Sequence, residues 1–244
     1  MATTTQPGSS SLTQPDYWWY RARTDLLKVA LESFMGDPVR TLDVGSADGP
    51  SVGWMRGSSR RVNLDLNPGG LTPGEGVCGS AMALPFADEV FDVVAAFDVV
   101  EHCEQESVAM DELARVLAPG GRMLLSVPAY QWAWTDHDIR AGHFRRYTRR
   151  RLVTLVEGAG LSVERATYAF SAVFPFFVAE RVLRRLKRRA GRPPDPALAP
   201  VTPRVDWLLM ALSRLDHRIL RDRDLPFGSS VFLAALKPEL RNSG

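Results

Sequence analysis

Short apolar runs separated by polar stretches are the dominant pattern along this chain. Residues 91–97 form an almost continuous apolar run, the kind required by a parallel strand that is covered on both faces. Two shorter runs, at 41–44 and 61–65, bring an acidic residue to the end of a strand. The same pattern predicts further strands at 122–127, 161–168 and 230–236.

Helical signals alternate with these strands. Helices are predicted at about 17–35, 104–117, 148–157, 170–189 and 205–220. The breaker at 118–121 ends one of them, and Gly158 to Gly160 ends another. Strands and helices in alternation predict an α/β fold with a mostly parallel sheet. The last two helices fall before the final strand, where they form an insertion.

Length and composition bound the organisation. The chain has 244 residues, of which 45% are hydrophobic, enough for one good core. We therefore expect a disordered tail over 1–15 and a single domain over 16–244, with a cap helix at 16–36 and a helical insertion at 171–228. Cys78 and Cys103 provide neither a disulfide framework nor a metal-binding spacing, which favours a reducing, cytoplasmic setting. No apolar run reaches the ~20 residues of a membrane span.

A glycine-containing turn follows the first strand. The segment 41–49 places Asp43 at the strand end, Gly45 where the backbone must bend, and Gly49 where the next helix must approach closely. Asp65 ends the second strand about 20 residues later, where a carboxylate can accept both hydroxyls of a ribose. A nicotinamide-binding turn would carry a third glycine at fixed spacing, which this chain lacks.

Five blocks in this order resemble the class I S-adenosylmethionine-dependent methyltransferases, in particular the bacterial small-molecule enzymes of types 11 and 12. The resemblance covers about residues 38–170. The matching residues are Asp43-x-Gly45-x-x-x-Gly49, Asp65, Leu84-Pro85-Phe86, Phe91-Asp92-Val93-Val94, Glu101-His102 and Leu117-Ala118-Pro119-Gly120-Gly121. The resemblance implies a Rossmann-like, seven-stranded, mostly parallel sheet and S-adenosyl-L-methionine as the cofactor.

The resemblance also implies a set of cofactor-binding residues. The turn after strand one would hold the amino-acid end of the cofactor, Asp65 its ribose, and the turn after strand three its adenine. Ser80 stands where many relatives have Asp, so its contact with adenine is an open point. The expected residues are Asp43, Gly45, Ser46, Ala47, Gly49, Asp65, Leu66, Ser80, Ala81, Met82 and Phe97.

Three of the four histidines fall in segments predicted to border one cleft, namely His102, His137 and His143. We expect them to be catalytic, because imidazole titrates near neutrality and can accept a proton from the methyl acceptor. The segment 137–148 resembles a His-Asp…Gly-His-x-Arg-Arg-Tyr-Thr signature whose arginines suit an anionic substrate. Asp98-x-x-Glu101-His102 resembles the magnesium clusters of some O-methyltransferases, but we expect no metal.

The charge is unevenly divided along the chain. Residues 1–139 carry 9 basic and 19 acidic side chains, whereas residues 140–244 carry 21 and 9. The basic half suits an anionic partner. The helix at 170–189, aromatic and then basic, suits either a membrane interface or a lid over its own domain. In the first helix, Arg21 or Arg23 could meet the carboxylate of the cofactor.

The sequence thus predicts a methyltransferase acting on O or N of a small or lipid-linked molecule. We expect a cytoplasmic protein with peripheral contact at the anionic inner membrane face, and nucleic acid is not an expected partner. Two alternatives stay open. One is a metal-assisted 2′-O-methyltransferase acting on RNA, and the other is a non-catalytic scaffold that only binds the cofactor.

Overall fold

The computed structural model describes residues 16–46, 53–55, 60–71, 76–190 and 201–239. Seven strands form one sheet in the order β3-β2-β1-β4-β5-β7-β6, in which only β7 is antiparallel to its neighbours. The predicted fold class is confirmed. The strands are β1 (Arg40–Val44), β2 (Arg60–Asp65), β3 (Gly76–Cys78), β4 (Phe91–Phe97), β5 (Leu117–Pro128), β6 (Ser162–Ala169) and β7 (Ser230–Leu236).

Six α-helices flank the sheet in the described parts of the chain. They are α1 (Trp18–Met35), α2 (Glu106–Val116), α3 (Asp136–Ala141), α4 (Arg149–Gly158), α5 (Phe174–Arg189) and α6 (Pro203–Leu220). Five were predicted to within a few residues. Thr148 caps α4 as expected, because its hydroxyl accepts a hydrogen bond from the Arg151 amide. The short helix α3 was not predicted and lies within a segment that carries no clear hydrophobic period.

The centre of the sheet is the centre of the core. Strand β4 lies between β1 and β5, and six of its seven residues are buried. Its one half-exposed side chain, Asp92, accepts hydrogen bonds at 2.8 Å from the amides of Val39 and Arg40. This carboxylate therefore ties the start of β1 to β4 at the amino edge, which leaves the carboxyl edge for ligands.

Strand β5 begins earlier than the sequence suggests. The predicted breaker at 118–121 belongs to the strand, because Gly120 adopts φ +76° and its amide donates to the Lys237 carbonyl at 2.8 Å. Lys237, directly after β7, thereby pairs with this segment, and regular pairing with β7 runs from Arg122 to Pro128. The glycines bend the strand rather than end it.

The helical insertion lies between β6 and β7, as predicted. Helix α6 packs against α1 and forms an ion pair in which Arg21 meets Asp206 at 2.7 Å. Asp216 of α6 accepts a hydrogen bond from the Ala172 amide at 3.0 Å, just before α5 begins. Among the described helices, none combines the length and the apolar character needed to cross a bilayer.

Candidate active site

The turn after β1 lies at the carboxyl edge of the sheet. Gly45 adopts φ +72°, and a Cβ atom at this position would overlap Cγ2 of Val99. The amides of Gly45 and Ser46 both donate to the Leu64 carbonyl, at 2.7 and 3.2 Å, so the turn is tied to β2. Asp43 is fully buried below it. Only glycine fits this position, as the sequence predicts for a backbone that passes close to a ligand.

The ends of β2 and β3 supply the next candidate groups. Burial raises the pKa of Asp65, although the amides of Asn67 and Leu66 partly offset this effect. A half-buried carboxylate of this kind gains from further hydrogen-bond donors, which the hydroxyls of a ribose would provide. Leu66 beside it is 72% exposed and could pack on a ligand.

In the turn after β3, the Ser80 hydroxyl makes a hydrogen bond within the turn itself. Ser80 Oγ accepts a hydrogen bond from the Met82 amide at 3.2 Å, and the Ala83 amide donates to the Ser80 carbonyl. Ala81 is buried and Met82 half-buried. Ser80 therefore shapes the turn, a role in which its hydroxyl proton still remains available to a ligand. Ala47 and Gly49, also predicted to bind the cofactor, lie outside the described residues.

Buried polar atoms lie along the same edge. Ser46 Oγ and Trp54 Nε1 are buried, and neither has a hydrogen-bond partner within the described parts of the chain. The Trp54 ring packs on Phe97 with 6.0 Å between centroids, which places a predicted cofactor residue in the same group. Orphaned polar atoms beside a glycine cradle fit a polar ligand such as the predicted cofactor.

Asp98, directly after β4, is held by two partners. Its backbone adopts φ +58°, its Oδ2 lies 2.7 Å from Nη2 of Arg23, and its Oδ1 accepts from Ser126 Oγ at 2.9 Å. Arg23 is 5% exposed and also lies over the Trp19 ring. Arg23 thus lies beside the end of β4, whereas Arg21 pairs with helix α6, and contact of either arginine with the carboxylate of the cofactor stays a prediction.

Glu101 is a buried acid that the sequence does not single out as catalytic. Its exposure is 0%, and neither carboxylate oxygen has a hydrogen-bond partner among the described residues. Burial, together with the charge of Asp98, raises the pKa of Glu101 well above its ordinary value. The Glu101 carbonyl accepts from the Phe144 amide at 2.7 Å, which draws the segment after α3 against this site.

His143 and Asp138 form a hydrogen-bonded dyad. His143 Nδ1 lies 3.0 Å from Oδ1 of Asp138, a carboxylate with 0% exposure. Burial alone would raise the pKa of Asp138, but the hydrogen bond from His143 and the charge of Arg146 hold it far below its ordinary value. An ionised carboxylate only accepts, so Nδ1 carries the proton and Nε2 is the basic nitrogen.

The other two predicted histidines hold different positions. The His102 ring lies edge-on to His143, with 4.6 Å between centroids. Desolvation and then the charge of His143 lower the pKa of His102 to about 4, although part of the ring stays open to solvent. His137 lies on α3 with an exposed side chain, and partial desolvation of that side chain lowers its pKa. The structure therefore brings two of the three histidines into direct contact.

The arginines of this segment have internal partners, contrary to the expectation that they meet an anionic substrate. Arg145 donates at 2.6 Å to the carbonyls of Cys103 and Glu104. Arg146 is 5% exposed and donates from Nε to Asp138 at 2.7 Å. Both side chains attach the segment to the rest of the domain, and groups of the protein itself compensate their positive charges.

One group of described residues could offer ligands to a metal ion. Ligand atoms of Glu101, His102 and His143 lie within 4.8 Å of one another. Asp98, the second carboxylate of the magnesium clusters considered above, is committed to Arg23 and Ser126. A single carboxylate is a poor set for magnesium, which favours oxygen ligands, and the expectation of no metal stays a prediction.

An aromatic cluster joins the segment that carries the dyad to β6 and α5. Tyr130, with φ +62°, stacks on Trp132 and Tyr168 at centroid distances of 5.7 and 5.3 Å, and Phe174 packs beside it at 5.6 Å. Phe177 and Phe227 extend the cluster. The aromatic composition of 129–147 is visible in the sequence. The packing of these rings against β6 and α5 is not, because it depends on contacts between segments far apart in the chain.

Comparison with known proteins agrees with the fold and identifies the family. A family model described as a methyltransferase domain matches residues 42–125. The demethylmenaquinone methyltransferase of Mycobacterium marinum (strain ATCC BAA-535 / M) is 34% identical over 163 residues, covering 65% of this chain and 67% of the relative. The chain belongs to the class I S-adenosylmethionine-dependent methyltransferases, and S-adenosyl-L-methionine is its cofactor.

Solved structures share the fold. One is the complex between the Haloferax volcanii Trm112 methyltransferase activator and a methyltransferase, with TM-score 0.58, 18% identity, and coverage of 95% of this chain and 94% of that one. Another is Haemonchus contortus phosphoethanolamine N-methyltransferase 2 in complex with S-adenosyl-L-methionine, with TM-score 0.57, 16% identity, and coverage of 97% and 59%. At these identities the likeness concerns the fold alone.

Proposed function

We propose that this methyltransferase transfers a methyl group to an oxygen or nitrogen atom of a small or lipid-linked molecule, with His143 as the general base. The observation that carries the proposal is the contact between His143 Nδ1 and the buried, ionised Asp138. A histidine oriented by a carboxylate accepts a proton at its other nitrogen, which is what an O–H or N–H nucleophile requires.

Residues at the carboxyl edge of the sheet would have two roles, cofactor binding and proton transfer. The turn at Gly45 and Ser46, with Asp65, Leu66 and the turn at Ser80 to Met82, would hold the cofactor. S-adenosyl-L-methionine, when bound, supplies an electrophilic methyl group. His143 takes up the proton of the acceptor at Nε2, and the Asp138 carboxylate stabilises the resulting imidazolium. His102, perpendicular to His143, would orient the acceptor.

The protonation states around the dyad suit this role. The raised pKa of Glu101 favours a neutral carboxyl group, so the site holds one fewer negative charge near the acceptor. The lowered pKa of His102 favours a neutral imidazole beside the base. A neutral neighbour does not oppose the positive charge that His143 gains during the reaction.

The acceptor class is inferred from the surroundings of the dyad. The aromatic cluster of Tyr130, Trp132, Tyr168, Phe174 and Phe177 would pack on an apolar or planar acceptor. Trp132 is 42% exposed, so it forms an accessible edge of this cluster. A relative named for demethylmenaquinone, itself a lipid-like molecule, supports the same class. We place the enzyme in the cytoplasm, in peripheral contact with the inner membrane face.

The test is methyl transfer into fractionated extracts. Methyl-labelled S-adenosyl-L-methionine is incubated with the enzyme and with either the organic or the aqueous extract of the source cells. We expect the label to appear in a discrete product, mainly from the organic extract. Label that enters RNA instead, or enters no fraction although the cofactor binds, contradicts the proposal.

A further inference from the structure

Helix α5 exposes apolar side chains to solvent, whereas a helix that covers a core buries them. Four of its large apolar side chains face solvent and are about half exposed, namely Phe176 (55%), Val182 (47%), Leu183 (57%) and Leu186 (54%). Positions 176, 183 and 186 follow i, i+7 and i+10 spacing, which places them on one stripe, with 182 at its margin. The described part of the protein leaves this stripe uncovered.

Two arginines of α5, Arg181 and Arg185, reach the segment that carries the dyad. Arg181 donates at 3.0 Å to Thr135 Oγ1, and its guanidinium lies over the Phe177 ring. Arg185 donates to the Trp132 carbonyl. Thr135 caps α3, which carries Asp138, so the inner face of α5 braces the segment that holds the dyad. The guanidinium groups of Arg181 and Arg185 therefore bind other parts of the protein and do not belong to the outer face of the helix.

Helix α6 also exposes large apolar side chains. It exposes Val205 (43%), Trp207 (66%), Leu208 (42%) and Leu215 (47%). Of the fifteen large apolar side chains exposed in the described residues, eight therefore lie on α5 and α6. Such a concentration on two helices is more than the scattered exposure that is normal for a surface, and it marks an interaction site.

The exposed charges on the two helices indicate what covers this surface. Lys187 and Arg189 are exposed on α5, and Arg204, Arg214 and Arg218 on α6. Their acids are engaged or buried, since Glu180 meets Arg184, Asp206 meets Arg21, and Asp216 is 1% exposed. Apolar side chains and a tryptophan ringed by cations suit the headgroup boundary of an anionic bilayer. A second copy of the chain would bring like charges together.

We infer that the outer face of α5 and α6 docks on an anionic lipid surface by inserting its apolar side chains, while α5 holds the dyad segment on its inner face. The inference rests on the proposed function, because it identifies the membrane as the phase that supplies a lipid-linked acceptor. Insertion contributes most of the binding, and the exposed cations add attraction at the rim.

The experiment is co-sedimentation of the full-length protein with two kinds of vesicle, phosphatidylcholine alone and an equimolar mixture with phosphatidylglycerol. We expect the wild type to sediment with the mixed vesicles and to bind neutral ones more weakly. The double variant Phe176→Ser/Leu183→Ser should lose about tenfold or more in partitioning. The control Val39→Ser/Val108→Ser removes two exposed valines outside the insertion and should leave partitioning unchanged.

Several outcomes would overturn the inference. The wild type stays in the supernatant with both vesicle types, or the control variant loses as much binding as the α5 variant. A further contradicting result is that high salt abolishes vesicle binding while the Phe176→Ser/Leu183→Ser variant keeps it. The cations alone would then act, because salt screens the attraction of exposed charges beyond ~10 Å at 0.1 M ionic strength. The last contradicting result is a dimer in sedimentation that the α5 variant dissociates. A second copy of the chain would then cover the outer face of α5.

A parallel measurement of cofactor affinity by calorimetry separates this inference from the proposed function. Both variants should bind S-adenosyl-L-methionine as the wild type does, which also shows that they are folded. Cofactor binding without vesicle binding removes the docking inference and leaves the methyltransferase assignment intact. Vesicle binding by a protein that fails to transfer methyl groups removes the proposed function alone.

Discussion

His143 Nδ1 lies 3.0 Å from Oδ1 of Asp138, and Arg146 Nε approaches the same oxygen at 2.7 Å. One buried carboxylate oxygen therefore orients the proposed base and compensates a buried guanidinium at once. The arrangement keeps Asp138 ionised despite its burial, which is the condition for a stable Nδ1–H tautomer of His143. Loss of this carboxylate should consequently affect catalysis and folding in different, separable ways.

Asp138→Asn is predicted to lower turnover by about 10²-fold or more, because an amide no longer enforces the tautomer that leaves Nε2 basic. The free energy of unfolding should also fall, by about 3 kcal/mol, since Arg146 loses its charged partner. Turnover and urea denaturation measure the two effects. Asp136→Asn, the same change on the same helix, is the control and should alter neither by much.

Gly45→Ala is predicted to weaken cofactor binding and to lower the melting temperature. The new Cβ would strain a backbone at φ +72° and overlap Val99. Gly142→Ala is the matched control, because Gly142 has φ +75° in the left-handed helical region but no atom within 4 Å of the added Cβ. The control should pay only the strain of about 1 kcal/mol. Equal losses in both variants would contradict the close approach at Gly45.

Glu101→Gln is predicted to stabilise the protein in a pH-dependent manner. The pKa of Glu101 is raised in the folded state, so ionisation above the ordinary carboxyl pKa of about 4.5 costs folding free energy. Below that value both states are protonated, and the substitution should change little. The gain should therefore grow as pH rises from 4.5, and urea denaturation at pH 5 and pH 8 measures it. A constant difference would exclude the titration of Glu101 as its cause.

Chelation is predicted to leave activity unchanged. The carboxylate that would complete an oxygen-rich site, Asp98, is held by Arg23 at 2.7 Å and by Ser126 at 2.9 Å. Dialysis against EDTA followed by the labelled-methyl assay tests this directly. Loss of activity that returns with magnesium or zinc would show that Glu101, His102 and His143 act as ligands instead of as acid and base groups.

The parts of this structure that local sequence dictates could be predicted. The apolar run at 91–97 became β4, and Gly45 occupies the left-handed turn for which glycine was expected. Thr148 caps α4 because a hydroxyl before a helix satisfies a free amide. The same rule could have found α3, since Thr135-x-x-Asp138 forms a capping box there.

The remainder depends on contacts between segments far apart in the chain. Arg23 meets Asp98 only because α1 crosses the carboxyl ends of β4 and β5. Arg181 and Arg185 of α5 reach inward because Thr135 and the Trp132 carbonyl accept from them, a pairing that the aromatic and basic pattern of this helix does not specify. The roles assigned to the histidines and to the cofactor-binding residues stay predictions until variants are measured.

The role of His143 as the base is tested most directly by His143→Ala in the labelled-methyl assay, with cofactor affinity measured by calorimetry on the same preparation. Loss of the proposed base should lower turnover by about 10²-fold or more while the dissociation constant for S-adenosyl-L-methionine stays nearly unchanged. His137→Ala, which removes an exposed imidazole outside the dyad, should reduce turnover far less. Turnover of His143→Ala equal to that of the wild type, with the cofactor bound normally, would contradict the assignment of His143 as the base.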